Sequence, residues 1–585
     1  MAVRLPLTAV LALALAACGT PSQQLAPLDE ARAALARGDG LAAEVVLRKM
    51  LADGTPQDQV AAFLGEAELQ QGELVEARRW LGEGRFSDDT AGHGFHMLGR
   101  LEMRSGNLPA AGQALDRAYA RDPDSPDLWV DIGRLRYRGG EQKQAIEASR
   151  RAVELGPDDP EALLLRAQLA RDSEGLAAAL PWFEAGLDNA PDHLNLLADY
   201  AATLGDLGRA RDMLVVVRKM AELDDRNPRL FYLQAVLAAR GGDFGLARTL
   251  LTRAGAGVAE SPAGMLLSGV IDIQNGNYQS AAQGLDRLVS LQPDNRPARE
   301  LLAKALALGL NDRELDYRFG EPAQMKSASP FLMQLVGRSL ESLDRRSDAA
   351  ALLDRAALPR STNLVAVEAL TPLSVAEVRR AEGGNAIQAL VRGKIRTGRA
   401  VAAVSDAESF RQRFPGSADA LALGGDARLA ARQPAAALAL YREAVSIRRS
   451  WPVVRKMMVA LTALGRTQEA DALVEDYLRG DPGNADAAAE LARLAIERRN
   501  WDRADWLLEH AIGHGLQRDP ELWRMRARVA LARSDADYAF DAAVYAYALQ
   551  PMSRENTALM IEVLDARGQG DRAAGLKRKL ARMSG

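Results

Sequence analysis

The chain has 585 residues and a formal net charge of −4; 48% of its residues are hydrophobic and 5% are aromatic. This length suits several domains or one long array, and the low aromatic content favours closely packed helices. Because neither sign of charge dominates, the composition argues against nucleic acid as a partner.

The N-terminus has the pattern of a secretory signal. Arg4 precedes an uncharged, mostly apolar stretch at residues 5–17, which is followed by Cys18, the only cysteine of the chain. Thirteen residues are too few to span a bilayer comfortably but are typical of the hydrophobic part of a signal peptide. We therefore predict a signal peptide at residues 1–17 and a short flexible tether at 18–24.

The sequence Leu15-Ala16-Ala17-Cys18 resembles the bacterial lipobox. The resemblance implies that Cys18 carries a diacylglycerol and that its new amine is acylated, for example with palmitate, which anchors the protein in a membrane. Gly19, rather than Asp, follows the cysteine, and by resemblance to lipoprotein sorting this implies the outer membrane, facing the periplasm. The alternative is an ordinary cleavable signal with a chance cysteine.

A period of 34 residues runs through the first part of the chain. Every 34th residue from Ala31 to Gly337 is Gly or Ala, at all ten positions, and a second series from Ala43 to Ala349 has Ala at eight of ten. Such regularity indicates an internal repeat rather than chance. A small residue at one place in each period lets two helix axes approach closely.

Each period contains two amphipathic helical patterns, for example residues 128–138 and 144–155, joined by "GGE". Gly139 or Gly140 supplies the left-handed turn between them. Pro123, Pro157 and Pro191, each 34 residues from the last, and later Pro293, end the second helix because proline cannot donate an interior helix hydrogen bond.

This pattern resembles the tetratricopeptide repeat, a 34-residue helix pair with conserved spacing of small and large residues. The matching residues of one unit are Trp129, Ile132, Gly133, Tyr137, Ala145, Ala152 and Pro157. The resemblance implies an all-α solenoid of about 15 stacked units with an extended concave surface. We predict a first array at 25–357, an irregular connector at 358–384, and a second array at 385–585 that ends in a capping helix from Ser553.

Signals of catalysis or metal binding are weak. His93 and His96 lie three residues apart, and His510 and His514 lie four apart, but neither pair has a marked third ligand and "EHAIGH" is not H-E-x-x-H. Phosphate-binding, hydrolase and Cys-x-x-Cys motifs do not occur in the sequence. We therefore expect no enzyme activity, no catalytic residue, no metal and no cofactor.

One position in each unit carries an excess of basic residues. In the tetratricopeptide family, the residue after the small Gly or Ala of the first helix tends to face the groove. Eight of fifteen such residues here are basic, where the composition predicts about two. The candidate partner-binding residues are Arg100, Arg104, Arg134, Tyr137, Arg138, Arg338, Arg392, Arg493 and Arg528. The alternative interpretation is solvated arginines, or arginines whose stems pack on the next repeat.

The chain as a whole resembles the repeat lipoproteins that assist outer-membrane machines. We therefore expect a non-catalytic scaffold that binds other proteins of a cell-envelope complex for exopolysaccharide export, secretion or pilus assembly. The rival hypothesis is a module that binds an anionic glycan or an acidic peptide along the basic groove. Fold and anchor alone do not identify the partner.

Overall fold

The computed structural model describes residues 26–293, 295–325, 328–357 and 384–583. These residues form 33 α-helices, a short π-helical turn at Ile512–Leu516, and no strand. The predicted all-α solenoid class is confirmed. The predicted signal peptide, Cys18 and tether lie outside the described residues, as does all but the last residue of the predicted connector at 358–384.

The first 21 helices form ten pairs, with one extra short helix, α15, after the seventh pair. In chain order they are α1 Pro27–Ala36, α2 Gly40–Ala52, α3 Gln57–Gln71, α4 Leu74–Leu81, α5 Ala91–Arg104, α6 Leu108–Tyr119, α7 Pro126–Arg138, α8 Gln142–Leu155, α9 Pro160–Ser173, α10 Leu176–Asn189, α11 Leu194–Asp206, α12 Ala210–Leu223, α13 Pro228–Arg240, α14 Phe244–Arg253, α15 Ala256–Ala259, α16 Pro262–Gln274, α17 Tyr278–Leu291, α18 Arg296–Leu308, α19 Asp312–Gln324, α20 Pro330–Ser342 and α21 Arg346–Ala357.

The remaining helices form six further pairs, so the described residues contain sixteen pairs against the expected number of about fifteen. They are α22 Gly384–Arg396, α23 Ala400–Arg413, α24 Ala418–Ala430, α25 Pro434–Ile447, α26 Trp451–Ala463, α27 Thr467–Gly480, α28 Ala485–Glu497, α29 Trp501–Ala511, α30 Pro520–Ala532, α31 Ala536–Leu549, α32 Arg554–Ala566 and α33 Gly570–Arg582. The segment from Ser553, for which we predict a capping helix, contains the pair α32 and α33.

The periodic small residues mark the closest approach within a helix pair. A Cβ added to Gly65 would lie 2.3 Å from Leu81, and one added to Gly99 would lie 2.5 Å from Leu115. In both pairs the leucine lies sixteen residues after the glycine, on the second helix. The second helix therefore packs its leucine directly on the backbone of the first, and a larger residue at the glycine would force the two helices apart.

Capping residues, prolines and glycines of the sequence mark the helix ends. Ser125 caps α7 by accepting a hydrogen bond from the Leu128 amide at 3.3 Å, and Pro126 occupies the first helical turn. Gly140, with φ of 79°, provides the left-handed turn, whereas Gly139 has φ of −74°. Local residue chemistry thus determines where the helices begin and end.

The described residues fall into two compact units, with the boundary between Gly139 and Gly140. Unit 1 contains α1 to α7, and unit 2 contains α8 to α33. In each unit the core is a continuous series of small clusters between neighbouring helices, such as Ala31, Leu47 and Leu64 in unit 1 and Ala281, Leu285 and Leu302 in unit 2. This serial core is the arrangement expected when each repeat buries its apolar face only against its neighbours.

Within unit 2, the chain also contacts itself over long sequence distances. The Ala418 amide donates to Gln142 Oε1 at 3.1 Å across 276 residues, and Arg449 Nη1 donates to the Glu174 carbonyl at 3.2 Å across 275 residues. The Arg449 amide also donates to the Asp172 carbonyl at 2.7 Å. This separation is about eight periods of 34 residues. Turns between the two helices of a pair in the first array thus meet turns between pairs in the second array, and we call these contacts the array junction.

Candidate partner-binding surface

The predicted groove residues lie on the first helices of the pairs, and we call the solvent-facing side of these helices the first-helix surface. Two cavities open on it. One, of about 140 Å³, lies in unit 1 between α3, α5 and α7, and its lining includes Glu66, His93, His96, Arg100 and Asp127. Each predicted residue can now be placed relative to these cavities and to its own hydrogen-bond partners.

In unit 1, Arg100 and Arg134 meet at one buried carboxylate. Asp131 accepts hydrogen bonds from Arg100 Nε, from His96 Nε2 at 2.7 Å, and from Arg134 Nη1 at 3.3 Å. Burial alone would raise the pKa of Asp131, but the charge of Arg100 and the hydrogen bond from His96 outweigh it and hold this pKa well below its usual range. The two arginines are therefore part of a charge network that joins α5 to α7.

A second carboxylate of the same cavity is paired with a histidine. Glu66 on α3 contacts His93 Nε2 at 2.8 Å, and the His93 ring stacks on Phe63 with centroids 5.0 Å apart. Burial acts to raise the pKa of Glu66, but the hydrogen bond and charge of His93 lower it overall. Consecutive first helices are thus joined by alternating acidic and basic groups across the cavity.

Sequence reasoning missed Asp131 as the centre of this network. Its signal was available, because Asp131 lies two residues before the small Gly133, and Asp199 has the same place before Ala201. Asp199 also accepts hydrogen bonds, from Gln168 at 2.5 Å and from Arg229. In these two units, the residue two positions before the small residue supplies a carboxylate that accepts hydrogen bonds from neighbouring first helices.

Arg104 and Arg138 bond to backbone carbonyls. Arg104 Nη1 donates to the Leu69 carbonyl, and Arg138 Nη1 donates to the Met103 carbonyl at 3.1 Å, each across 35 residues. Both arginines lie in the last turn of a first helix and reach the carboxyl end of the preceding first helix, where a cation is favourable. Tyr137, the residue directly before Arg138, is 43% exposed.

The predicted residues of unit 2 differ in exposure. Arg338 is 67% exposed and pairs with Glu341 at 2.6 Å, whereas Arg392 is partly buried. Arg493 donates to Glu490 and lies 3.7 Å from Glu521, and Arg528 is exposed. Asp426 occupies the position directly after the small residue of its unit, where the other units have these arginines. Its side chain is buried and accepts hydrogen bonds from Tyr441 and Lys456.

The second cavity of the first-helix surface brings two predicted residues together. It has a volume of about 370 Å³ and lies between α28, α30 and α32, with a lining that includes Arg493, Ile496, Met525, Arg528 and Glu555. Arg524, which sequence reasoning did not single out, also lines it and lies 3.2 Å from Glu555. The cavity thus presents apolar groups flanked by charges of both signs.

A third cavity, of about 280 Å³, lies at the array junction. Its lining includes Arg171, Asp206, Arg448, Arg449 and Asp481. Because its residues come from repeats that lie far apart in the sequence, the repeat pattern does not predict it.

Other candidate sites add little in the part of the chain that the structure describes. No group of three or more His, Cys, Asp or Glu residues there is arranged to hold a metal ion. His510 Nε2 contacts the Pro482 carbonyl at 2.6 Å, and His514 Nδ1 contacts the His510 carbonyl at 2.7 Å. Each helix among the described residues is too short or too polar to cross a bilayer.

Comparisons with known proteins agree with the repeat assignment. Tetratricopeptide repeat models match residues 96–160, 133–193 and 461–529. A comparison with curated proteins gives no match.

Similar solved structures are distant. The Cut9-Hcn1 hetero-tetramer of the APC/C is 12% identical, with 92% of this chain and 95% of that chain covered and a TM-score of 0.27. The human IFIT1 dimer with PPP-AAAA is 16% identical, with 66% and 90% covered and a TM-score of 0.35. The Pseudomonas aeruginosa pilF structure is 18% identical, with 37% and 99% covered and a TM-score of 0.31. At these TM-scores the similarities carry no argument about function, and the family models are what show that the chain contains tetratricopeptide repeats.

Proposed function

We propose that the protein is a non-catalytic scaffold that binds an extended segment of a partner protein along its first-helix surface. The observation that carries this proposal is the pair of cavities in that surface, each spanning three consecutive first helices. A segment lying across three repeats would place its side chains in such a cavity, among charged groups and a few apolar ones. Repeat surfaces of this kind recognise partners by many small contacts.

The proposed location is the periplasmic face of the outer membrane, with Cys18 as the lipid-bearing residue. Support comes from the apolar stretch at 5–17 and from the position of the single cysteine directly after it. The proposed role is to assist assembly of an exopolysaccharide export, secretion or pilus machine. The non-catalytic role is supported by the repeat itself, since helix pairs account for nearly all described residues.

The second candidate, binding of an anionic glycan or acidic peptide, is favoured by the exposed Arg528 beside the larger cavity. It is weakened by the local charge balance, because Arg100, Arg134 and Arg493 each have acidic partners. A groove whose cations are already paired attracts a polyanion less than a free basic stripe would.

The test is crosslinking in cells followed by affinity purification from membranes and mass spectrometry. We expect a consistent set of envelope proteins with the natural chain, and its loss or weakening with Cys18→Ser, because that change removes the proposed anchor. Arg528→Glu on the first-helix surface should deplete the direct partner. Arg346→Glu is the matched control, since Arg346 is 85% exposed on a second helix. Unchanged capture with Arg528→Glu, together with salt-sensitive binding of a purified anionic glycan, would favour the second candidate.

A further inference from the structure

Apolar side chains are exposed near the start of the second helices of unit 1, α2, α4 and α6. Leu41 and Val75 lie in the first turn of α2 and α4 and are 63% and 71% exposed. Val45, one turn after Leu41, is 63% exposed, and Pro109 in the first turn of α6 is exposed too. We call these four residues the N-terminal apolar row. Exposed apolar groups that share one surface mark an interaction site.

The repeat places the row on one side of unit 1. Leu41, Val75 and Pro109 are each 34 residues apart, so they hold the same place in consecutive pairs. A contact between helices agrees with this arrangement: Arg48, two turns after Leu41 on α2, has its Cζ 5.9 Å from the centroid of the Trp80 ring on α4. The side chains of the row therefore project from neighbouring helices on a common surface.

The row stops after the third pair. In the later pairs of the first array, the same place is held by Lys143, Ala177, Arg211, Gly245, Gln279, Arg313 and Ser347. None of these seven is a large apolar residue, and five of them are polar or charged. In the first array, large apolar residues at this place thus belong to the three pairs that follow Cys18 most closely.

The tether limits how far these pairs lie from the membrane. In the proposed function Cys18 carries the lipid, and eight residues separate it from α1, which begins at Pro27. A chain of this length extends at most about 30 Å. Helix α1 packs directly on α2, where the row begins. The anchor therefore keeps the row close to the lipid head groups, and even a weak contact is effective because it forms within one anchored molecule.

Arginines lie beside the row on its exposed side. A cavity of about 420 Å³ is lined by Leu74, Val75, Arg78 and Arg79. The Arg79 side chain is 70% exposed, whereas its partner Glu76 is 34% exposed, so the cation is the more accessible of the two. Because a guanidinium has five N–H donors, one that pairs with a carboxylate still donates to a phosphate oxygen. Apolar groups beside accessible cations match the head-group region of a bilayer, where phosphates lie above acyl chains.

We propose that the N-terminal apolar row docks on the phospholipid surface in which Cys18 is anchored. This inference rests on the anchor of the proposed function and adds a second membrane contact to it. Leu41, Val45 and Val75 enter the head-group region, and Arg79 pairs with a lipid phosphate. The contact sets the orientation of unit 1 on the membrane. It uses second helices, so the first-helix surface stays available to the partner segment.

The experiment places the lipidated protein in vesicles of phosphatidylethanolamine and phosphatidylglycerol. Because the lipid occupies the thiol of the only native cysteine, a thiol-reactive fluorophore labels Val45→Cys at position 45 alone. We expect spin-labelled phospholipid to quench this label. Val215→Cys is the matched control, since Val215 is 65% exposed on the second helix α12; its label should stay unquenched.

Substitutions within the row should release the label at position 45 from the membrane. Leu41→Ser and Val75→Ser should each shift the docking equilibrium by about 3- to 10-fold towards the undocked state, because each removes an apolar side chain that is partly buried on docking. Leu246→Ser is the matched control, since Leu246 is 48% exposed on the second helix α14; it should leave quenching unchanged.

The outcomes separate this proposal from the anchor. Labelling of the natural chain would reveal a free Cys18 thiol and would refute the anchor, and the docking with it. A natural chain that takes no label, together with an unquenched label at position 45, would refute the docking alone. Equal quenching at positions 45 and 215 would show that the fluorophore itself enters the bilayer, and would overturn the assignment to the row. Protection of the label from iodide in native membranes but not in vesicles would assign the row to a partner protein instead.

Discussion

The array junction can be tested with one glycine substitution. Gly175 has φ of 113° and ψ of 165°, a conformation that only glycine adopts readily, and a Cβ there would lie 3.2 Å from the Gly480 carbonyl oxygen. Gly255 has a similar conformation, with φ of 81° and ψ of 170°, but open space around it. Alanine at either position costs about 1–3 kcal/mol of backbone strain. Only Gly175→Ala adds a steric cost against the second array, about 1–3 kcal/mol more.

Hydrogen exchange of the Arg449 amide reports on opening of the array junction, because this amide donates to the Asp172 carbonyl at 2.7 Å. An added cost of about 1–3 kcal/mol should speed exchange of that amide by roughly 5- to 150-fold in Gly175→Ala. Gly255→Ala should leave it unchanged, and so should amides inside α28 in both variants. Equal exchange of the Arg449 amide in the two variants would refute the argument that the arrays press together at Gly175. A local probe is needed because a long repeat array need not unfold in one step.

Three further predictions concern packing and charge. Asp131→Asn should destabilise unit 1 by about 1–3 kcal/mol, because it leaves Arg100 and Arg134, whose side chains are 32% and 33% exposed, without their carboxylate. Since the pKa of Asp131 is depressed, its stabilisation is fully present above the unfolded pKa of about 3.9 and is lost as the pH falls below it toward the folded pKa. Thermal unfolding from about pH 2 to 6 should therefore show a flatter profile in the variant below about pH 4, and parallel profiles would contradict the network. Gly99→Ala should destabilise the helix pair by about 1–3 kcal/mol through overpacking. Gly112→Ala, whose Cβ would have its nearest contact at 3.8 Å, should instead stabilise α6 by about 0.5–1 kcal/mol. Hydrogen exchange of amides in α5 and α6 measures both effects, and a change in the same direction for the two variants would contradict the close packing at Gly99. Tyr441→Phe should cost about 1–3 kcal/mol because the buried carboxylate of Asp426 loses one of its two donors and keeps only Lys456. Hydrogen exchange within α24 and α25 measures this cost, and unchanged exchange would show that the Tyr441 hydrogen bond does not stabilise the pair.

Part of the candidate site was visible in the sequence and part was not. The periodic position after the small residue placed Arg493 and Arg528 at one cavity, because every unit repeats the same helix geometry. The pattern did not show that Arg100 and Arg134 share one carboxylate, since that depends on Asp131 lying between two helices. Counting basic residues at one position of each unit also takes no account of an acidic residue at another position, such as Asp131.

The sequence by itself determined the all-helical repeat architecture, the helix boundaries and the helix–helix contacts within most pairs. These features depend on residues close in the chain: a small residue faces a leucine sixteen positions later, as Gly65 faces Leu81, and prolines or capping side chains mark many helix starts, as Ser125 and Pro126 do at α7. Tertiary structure alone decided which distant repeats meet, as at Arg449 and Asp172. Each repeat adds a small rotation, and only the sum over about eight repeats brings the two arrays of unit 2 together. No local pattern encodes that sum, so the cavity at the array junction appears only once the chain is folded.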